Sequence, residues 1–512
     1  MARTPQRAMT PMPVLLIQDG CVHTADARER VVPRGCVLVV DDRIAAVGTA
    51  AEVGTAVAAL PPDRAAELTV LDASRTAVLP GFVNAHWHET FALRLTGENG
   101  LRARSDRADT GGMLSHGGHP HDVSAAFDAS ADLAGLLTPG EAEAVARYSM
   151  WTQLRCGVTT LGDTGSVNRP EALAAAARAL GTRCAVSLWT GDAVCEPGSP
   201  VPLRTRDTDA VLARTEEIVR MAAADTTGLV RARPSAVYVT NLTDELGAGL
   251  AALTERHDLP FVTHVAALRA EAEVMRHHFG RTGLRRLADL GLLTERLMAV
   301  HCGFLDDAER ELLLASGASI TVSPAKYGCT GETVLTETTA ITDLRRAGVA
   351  VSVSTDGSPL PHPGMVEAMR AAWHGFAERT GDPAEVRPSD ALAMATRIPA
   401  HGLRWHGIGS IEPGNLADLV LVRTDDWRYL LQPRPLESLL MLGGSPDVDT
   451  VLVGGKVVLR DGRATNVDEE AVRSDYLDAL ESFSSRCLAV DTGPLLRQAR
   501  RRPAPRRDRR AG

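Results

Sequence analysis

The sequence predicts an α/β chain, with a central parallel β/α barrel flanked by a small β-unit assembled from both ends of the polypeptide. Three observations carry this reading. Between about residues 86 and 400, short apolar strands alternate with amphipathic helices, the rhythm of repeated βα units. Strand-and-turn patterning occupies residues 14–79 and returns after residue 400. Histidines and one aspartate stand at strand ends along the central stretch, where a barrel gathers them at one mouth.

In chain order, residues 1–12 are expected to be disordered and 13–80 to form the first part of the β-unit. Val14–Ile17, Cys36–Val40 and Arg43–Val47 are its strands, with Asp41 and Asp42 as a turn. Residues 81–400 form the barrel. Its strands include Gly157–Leu161, Arg183–Leu188, Pro260–His264, Leu297–His301, Ser319–Ser323 and Val349–Ser354, with helices such as Pro139–Leu154 and Glu171–Leu180 between them. Residues 401–465 return to the β-unit through Ala417–Val422 and a Gly454-Gly455 hairpin. A helix closes the fold within 466–490, and the arginine-rich stretch within 491–512 is expected to be a solvated, disordered tail. Residues 97–135, rich in Gly, Ser, Asp, Arg and His, interrupt the alternation. They are expected to be a loop, either a plain surface loop or a substrate lid contributing one polar contact, for which His116 is the candidate.

Composition narrows the class. A chain of 512 residues with 44% hydrophobic content and a net charge of −9 is an ordinary folded protein of more than one unit. Neither nucleic acid nor membrane is expected as a partner, since no apolar run is long enough to span a bilayer. The eight cysteines are scattered without a Cys-x-x-Cys pair, which suits free thiols in a reducing, cytoplasmic setting.

The chemistry concentrates in five residues. In Leu79-Pro80-Gly81-Phe82-Val83-Asn84-Ala85-His86-Trp87-His88, strand alternation points His86 and His88 the same way and Trp87 oppositely, into packing. His264, His301 and Asp356 end or follow later strands. Imidazoles and a carboxylate converging on one mouth suit Zn(II) or Fe(II).

These motifs, with Gly409–Val420 and Val453–Val458, resemble the amidohydrolase superfamily over residues 14–465, within its chlorohydrolase and aminohydrolase branch of nucleobase and S-adenosylhomocysteine deaminases. The resemblance implies a distorted (β/α)8, TIM-type barrel with a small β-sandwich built from the N- and C-terminal segments. It implies His86, His88, His264 and Asp356 as ligands of one divalent metal, zinc by preference and iron as the alternative. Asp356 and His301 would be the catalytic groups, moving a proton and polarising the substrate, and a homodimer is the prior. Binuclear members carry a carboxylated lysine on the fourth strand; no lysine stands near Val237–Asn241, so one metal is expected.

Two departures bear on the substrate. The branch places a glutamate three residues after the third histidine, where this chain has Ala267; the nearest carboxylate is Glu271. Lys326 and Tyr327 stand where the branch has Ser-Asn, and both are candidate substrate contacts. The leading expectation is therefore a metal-activated water cleaving an amide- or amidine-type C–N bond in a small-molecule or peptide-derived substrate of a specialised pathway. An aminoheterocycle deaminase with a displaced proton shuttle is the second expectation, and a non-catalytic ligand-binding member the third.

Overall fold

The computed structural model describes residues 14–89, 118–330, 333, 335–357, 364–430, 434–488 and 492–501. His116, the expected lid contact, lies outside them. The chain begins with β1 (Val14–His23), β2 (Val31–Val40), β3 (Arg43–Thr49), β4 (Leu68–Asp72) and β5 (Thr76–Pro80). It continues through β6 (Phe82–Trp87), β7 (Val158–Asp163), β8 (Arg183–Val186) and the short hairpin β9 (Ala193–Val194) and β10 (Leu203–Arg204). Then come β11 (Val230–Ala232), β12 (Ser235–Tyr238), β13 (Phe261–Val265), β14 (Leu297–His301), β15 (Ser319–Val322) and β16 (Val351–Val353). It ends with β17 (Leu419–Arg423), β18 (Val448–Val453), β19 (Lys456–Arg460) and β20 (Arg463–Ala464).

The two ends of the chain pair into one nine-stranded sheet in the order β20-β19-β18-β17-β5-β1-β2-β3, with β4 also beside β1. The join is the antiparallel β5–β17 pair, from Leu419 opposite Pro80 to Arg423 opposite Thr76. Strand alternation gives the sheet two separate apolar faces. Ile17, Val37 and Val39 pack on one, and Val14, Leu38 and Val53 on the other. The β18–β19 hairpin turns through Gly454 and Gly455, both at positive φ (52° and 74°), as a two-residue turn between twisted strands requires.

The central strands are parallel, in two sets: β6-β7-β8-β11 and β12-β13-β14-β15-β16. The chain passes from one set to the other through Arg233-Pro234, where proline has no N–H to give a ladder. Across the far side, a parallel bridge joins Trp87 to Asp356, and the Asp356 N–H donates to the His86 carbonyl at 3.0 Å. Asn84 clasps the same seam: its amide donates to Thr355 Oγ1 at 2.7 Å and its oxygen accepts from the Thr355 N–H at 3.1 Å. The buried Arg233 guanidinium spans the interior, donating to the carbonyls of Ala85 (2.6 Å) and Asp163 (2.5 Å).

Two expectations are corrected. Part of the presumed loop 97–135 is a helix, Pro120–Gly135. Proline at its first position suits a helix start, and Val123, Phe127, Ala131 and Ala134 are buried at helical spacing. The tail is helical over Gly493–Arg501 instead of disordered from residue 491. Arg500 there finds the carboxylates of Asp478 and Glu481, each at 2.7 Å, on the helix Glu469–Phe483. That helix in turn stacks Tyr476 on Tyr148 of Pro139–Arg155, ring centroids 3.8 Å apart.

The parallel strands are tied to the nine-stranded sheet by a buried, two-pronged ion pair. Arg183 Nε and Nη2 meet Asp418 Oδ2 and Oδ1 at 2.7 and 3.0 Å, and Asp418 also accepts from the Gly454 N–H at 2.7 Å. Asp418→Ala strands the guanidinium without its partner, so it should lower unfolding free energy by roughly 3–5 kcal/mol, read from urea denaturation against the wild type.

Candidate metal centre

The strand ends bring the five sequence-identified residues into contact. His86 sits near the end of β6, with His88 just beyond; His264 is on β13, His301 ends β14, and Asp356 follows β16. Nitrogens of His86, His264 and His301 lie within 4.8 Å of one another, as do donor atoms of His86, His88 and Asp356. Asp356 Oδ1 is 3.5 Å from His86 Nε2 and 3.3 Å from His88 Nε2. Its Oδ2 is 2.8 Å from Lys326 Nζ and 3.7 Å from His301 Nε2. His301 (φ 79°) and Asp356 (φ 55°) both adopt left-handed backbone, strain typical of residues held for a task.

Partners behind the rings set the tautomers. The Thr164 hydroxyl donates to the Trp87 carbonyl, so its lone pair receives His88 Nδ1–H at 2.9 Å. Ser166 Oγ lies 2.7 Å from the same nitrogen. His264 Nδ1–H donates to the Val237 carbonyl. Both arrangements leave the Nε2 lone pairs of His88 and His264 facing inward, the form a metal ligand needs. Neither the Thr164-x-Ser166 shell nor the Val237 carbonyl was evident from sequence; the polar residues just after β7 were the available signal.

Burial, and then the charge of His86, pushes His264 down to about 3 and His88 well below the ordinary range. Burial lowers His86 and His301 as well, against the pull of Asp356. Burial works to raise the Asp356 carboxyl, but the Lys326 ammonium, and after it the neighbouring His86 and His88, outweigh burial and hold the group well below the usual carboxylate range. Neutral imidazoles around an ionised carboxylate are the donor set a divalent cation takes.

The cluster opens into a narrow cavity lined by His88, His264, His301, Asp356 and Lys326 together with Val123, Phe127, Trp189, Tyr238, Ala267 and Leu268. Val123 and Phe127 come from the helix Pro120–Gly135, which was not expected from sequence to form a wall. Lys326 lines the cavity. Tyr327 stands behind His301, its hydroxyl 2.8 Å from His301 Nδ1, and supports a ring instead of lining the cavity. Glu271 turns away from the cavity. It accepts from the Ala267 N–H at 2.9 Å and from the Tyr238 hydroxyl at 2.6 Å, so it braces the turn after β13. A buried carboxyl pair joins Glu89, the residue after His88, and Asp163 at the end of β7; burial and then the charge of Asp163 raise Glu89 well above the usual range.

Comparison with known proteins follows this geometry. The amidohydrolase family profile matches residues 77–458. A 5-methylthioadenosine/S-adenosylhomocysteine deaminase of Nitratidesulfovibrio vulgaris is 29% identical over 471 residues, covering 91% of this chain and 96% of the relative. A 5'-deoxyadenosine deaminase of Methanothermobacter thermautotrophicus is 27% identical over 448 residues, covering 86% and 92%. Among solved structures, an adenosine deaminase from Xanthomonas campestris with bound zinc gives a TM-score of 0.75 at 23% identity, covering 93% of this chain and all of that one. Atrazine chlorohydrolase from Arthrobacter aurescens complexed with zinc gives 0.74 at 23% identity, covering 91% and 100%. At such identities the structural likeness speaks for the fold.

Two outcomes follow from the cluster. His86→Ala should leave the purified protein with less than one-tenth of the wild-type metal content by elemental analysis; full content would remove His86 from the donor set. In metal-free protein, an unfolded His264 takes a proton near its ordinary 6.5 while the folded one does so only near 3. The unfolded state therefore binds more protons across that window, and stability should fall as pH drops from 6.5 toward 3. His264→Gln should flatten that slope in urea titrations across the window; an unchanged slope would place the linkage elsewhere.

Proposed function

The chain belongs to the amidohydrolase family, and we propose that within it the protein removes an amino group hydrolytically from a flat, aminated heterocycle. It is a metal-dependent hydrolase of C–N bonds other than ordinary peptide bonds, with the TIM-barrel-type α/β fold its family implies. We read β6 to β16 as eight barrel stations, with β11 and β12 sharing one, and the nine-stranded sheet as the β-sandwich unit. The bounds 13–80, 81–400 and 401–465 are our division of the two.

The observation that carries the reading is the pairing of Lys326 with Asp356 beneath an aromatic-walled cavity. His86, His88, His264 and Asp356 would hold one divalent metal, which we take to be zinc because zinc is bound in the structural relatives. When bound, such a cation supplies the Lewis acidity that lets water ionise near neutral pH. The chain's own residues do the rest. The Asp356 carboxylate, held ionised, accepts the proton that water loses. A Tyr327 hydroxyl donated to His301 Nδ1 keeps the proton on His301 Nε2, which can then donate to oxygen developing at the attacked carbon. Lys326 Nζ, on Asp356 Oδ2, can donate to the leaving nitrogen, supplying the protonation that Ala267 cannot. The balance is an amine plus water giving a ring carbonyl tautomer plus ammonia.

Phe127, Trp189 and Tyr238 suit a flat ring, and the deaminase relatives act on nucleosides, which supports a purine-type substrate. A second reading, cleavage of an amide or amidine, keeps its support from Ala267: a nitrogen that needs a single proton does without a second acid. We take a small molecule as the partner and a cytoplasmic setting; no helix among the described residues is long and apolar enough to cross a membrane.

The test is ammonia release by zinc-loaded protein across 5'-substituted adenosines, aminopyrimidines, aminotriazines and simple amidines. Release from a ring substrate is expected, with Lys326→Gln lowering kcat about 10²–10⁴-fold at unchanged metal content. Release from amidines alone would replace the ring reading with the second one. An unchanged kcat in Lys326→Gln would remove the lysine from proton transfer.

A further inference from the structure

Tyr238 and Glu271 form a buried pair at the cavity wall that takes no part in the proton transfers at Asp356, His301 and Lys326. Tyr238 ends β12 and lines the cavity. Its ring stands 6.0 Å from Phe127 and 6.4 Å from His264, centroid to centroid and edge to face in both cases. Glu271 opens the helix Glu271–Phe279 and is 2% exposed. The Tyr238 hydroxyl donates to Glu271 Oε2 at 2.6 Å. The same oxygen accepts from the Ala267 N–H at 2.9 Å, and Oε1 accepts from the Ala266 N–H.

This frame fixes the direction of the hydroxyl. A backbone N–H only donates, so each carboxylate oxygen of Glu271 is engaged by a donor that cannot reverse. The turn carrying those two N–H groups is held from its other side as well. The Ala266 carbonyl accepts from the Phe304 N–H at 3.0 Å, and the Ala267 carbonyl accepts from the Thr333 hydroxyl at 2.8 Å. Burial raises the Glu271 carboxyl, with a smaller push from Glu309, while the Tyr238 hydroxyl and the two N–H groups favour its ionised form. A carboxylate accepts and has no proton to give. The Tyr238 proton is therefore committed to Glu271, and toward any other partner the phenolic oxygen accepts. Lys326, also on the cavity wall, has the opposite polarity, since an ammonium only donates.

On the reading of the cavity as a ring-deaminating site, we propose that Glu271 is a positioning residue that sets specificity: by holding the Tyr238 hydroxyl as an acceptor, it selects aminated rings with a ring N–H beside the amino-bearing carbon over rings with a bare lone pair there. The N–H donates to the Tyr238 oxygen. A lone pair in the same place sets two acceptors against each other, and in a narrow cavity walled by Phe127, Trp189 and Leu268 neither finds a replacement donor. Ala267 agrees with this choice. A ring nitrogen that already carries its proton needs none from position 267.

The experiment compares three ribosides that share a 2-amino group, on the zinc-loaded full chain. Guanosine carries a proton on N1; O6-methylguanosine and 2-aminopurine riboside have a lone pair there. Calorimetric Kd and ammonia release are measured for each. Wild type should bind guanosine about tenfold or more tightly than either of the others, the penalty for an unmade buried hydrogen bond. Tyr238→Phe should bring the three affinities together. Glu271→Gln sets an amide N–H against the phenolic oxygen, turns the hydroxyl into the cavity, and should reverse the order. Circular dichroism and zinc content check both variants; Tyr238→Phe leaves Glu271 on its two backbone N–H groups and so spares the turn if Glu271→Gln does not fold. Equal affinities in the wild type, a preference for the lone-pair rings, or a ratio unmoved in folded Tyr238→Phe would overturn the selection. Guanosine bound selectively without ammonia release would sink the deaminase reading and leave the selection standing, whereas release from the lone-pair rings alone would do the opposite.

Discussion

The seam between β6 and Asp356 is the constraint on which the rest depends. One residue does two jobs there. The Asp356 backbone bridges to Trp87 and donates to the His86 carbonyl, bringing the last parallel strand to the first. Its carboxylate, turned inward by a left-handed backbone, meets His86 and His88 on one oxygen and Lys326 on the other. Closure of the fold and assembly of the site are thus the same event. Asn84 reinforces it from outside the cluster by clasping Thr355 through both ends of its amide.

Burial then determines the chemistry. In water these histidines would be partly protonated near neutrality; inside, the loss of hydration makes the charged form costly and keeps them neutral. The same desolvation would neutralise Asp356, but the adjacent ammonium of Lys326 reverses the sign. Hydrogen bonds to Thr164, Ser166 and Val237 aim the lone pairs that burial has preserved. Glu89 takes the opposite course: burial, and then the charge of Asp163 beside it, raise its carboxyl well above the usual range. Two buried carboxyls are therefore shifted in opposite directions by their neighbours.

Much of this was legible along the chain. His86-Trp87-His88 declared its geometry through strand alternation alone, and Trp87 is packed away as alternation requires. The strand-end positions of His264, His301 and Asp356 were readable because short β-branched runs lead directly into them. The Gly454-Gly455 turn and the Asp41 turn announced themselves by residue type. The helix Pro120–Gly135 was missed because the glycine-, arginine- and aspartate-rich stretch before it masked a clear Pro start and a 123/127/131/134 apolar stripe. The tail helix was missed because its arginines read as a solvated run, and the carboxylates that neutralise Arg500 lie on another helix.

The sequence by itself determined the inventory: which residues could hold a metal, the alternation of strand and helix, and the absence of a glutamate at position 267. These are properties of residue type and local period, which need no partner. Only the tertiary structure decided what each group touches. It put Lys326 on Asp356, turned Tyr327 behind His301, engaged Glu271 with the Ala267 backbone and Tyr238, and brought His121 against His278 across 157 positions. Charge state and hydrogen-bond direction depend on distances of a few ångströms between segments far apart in sequence, and those distances exist only once the parallel strands have closed.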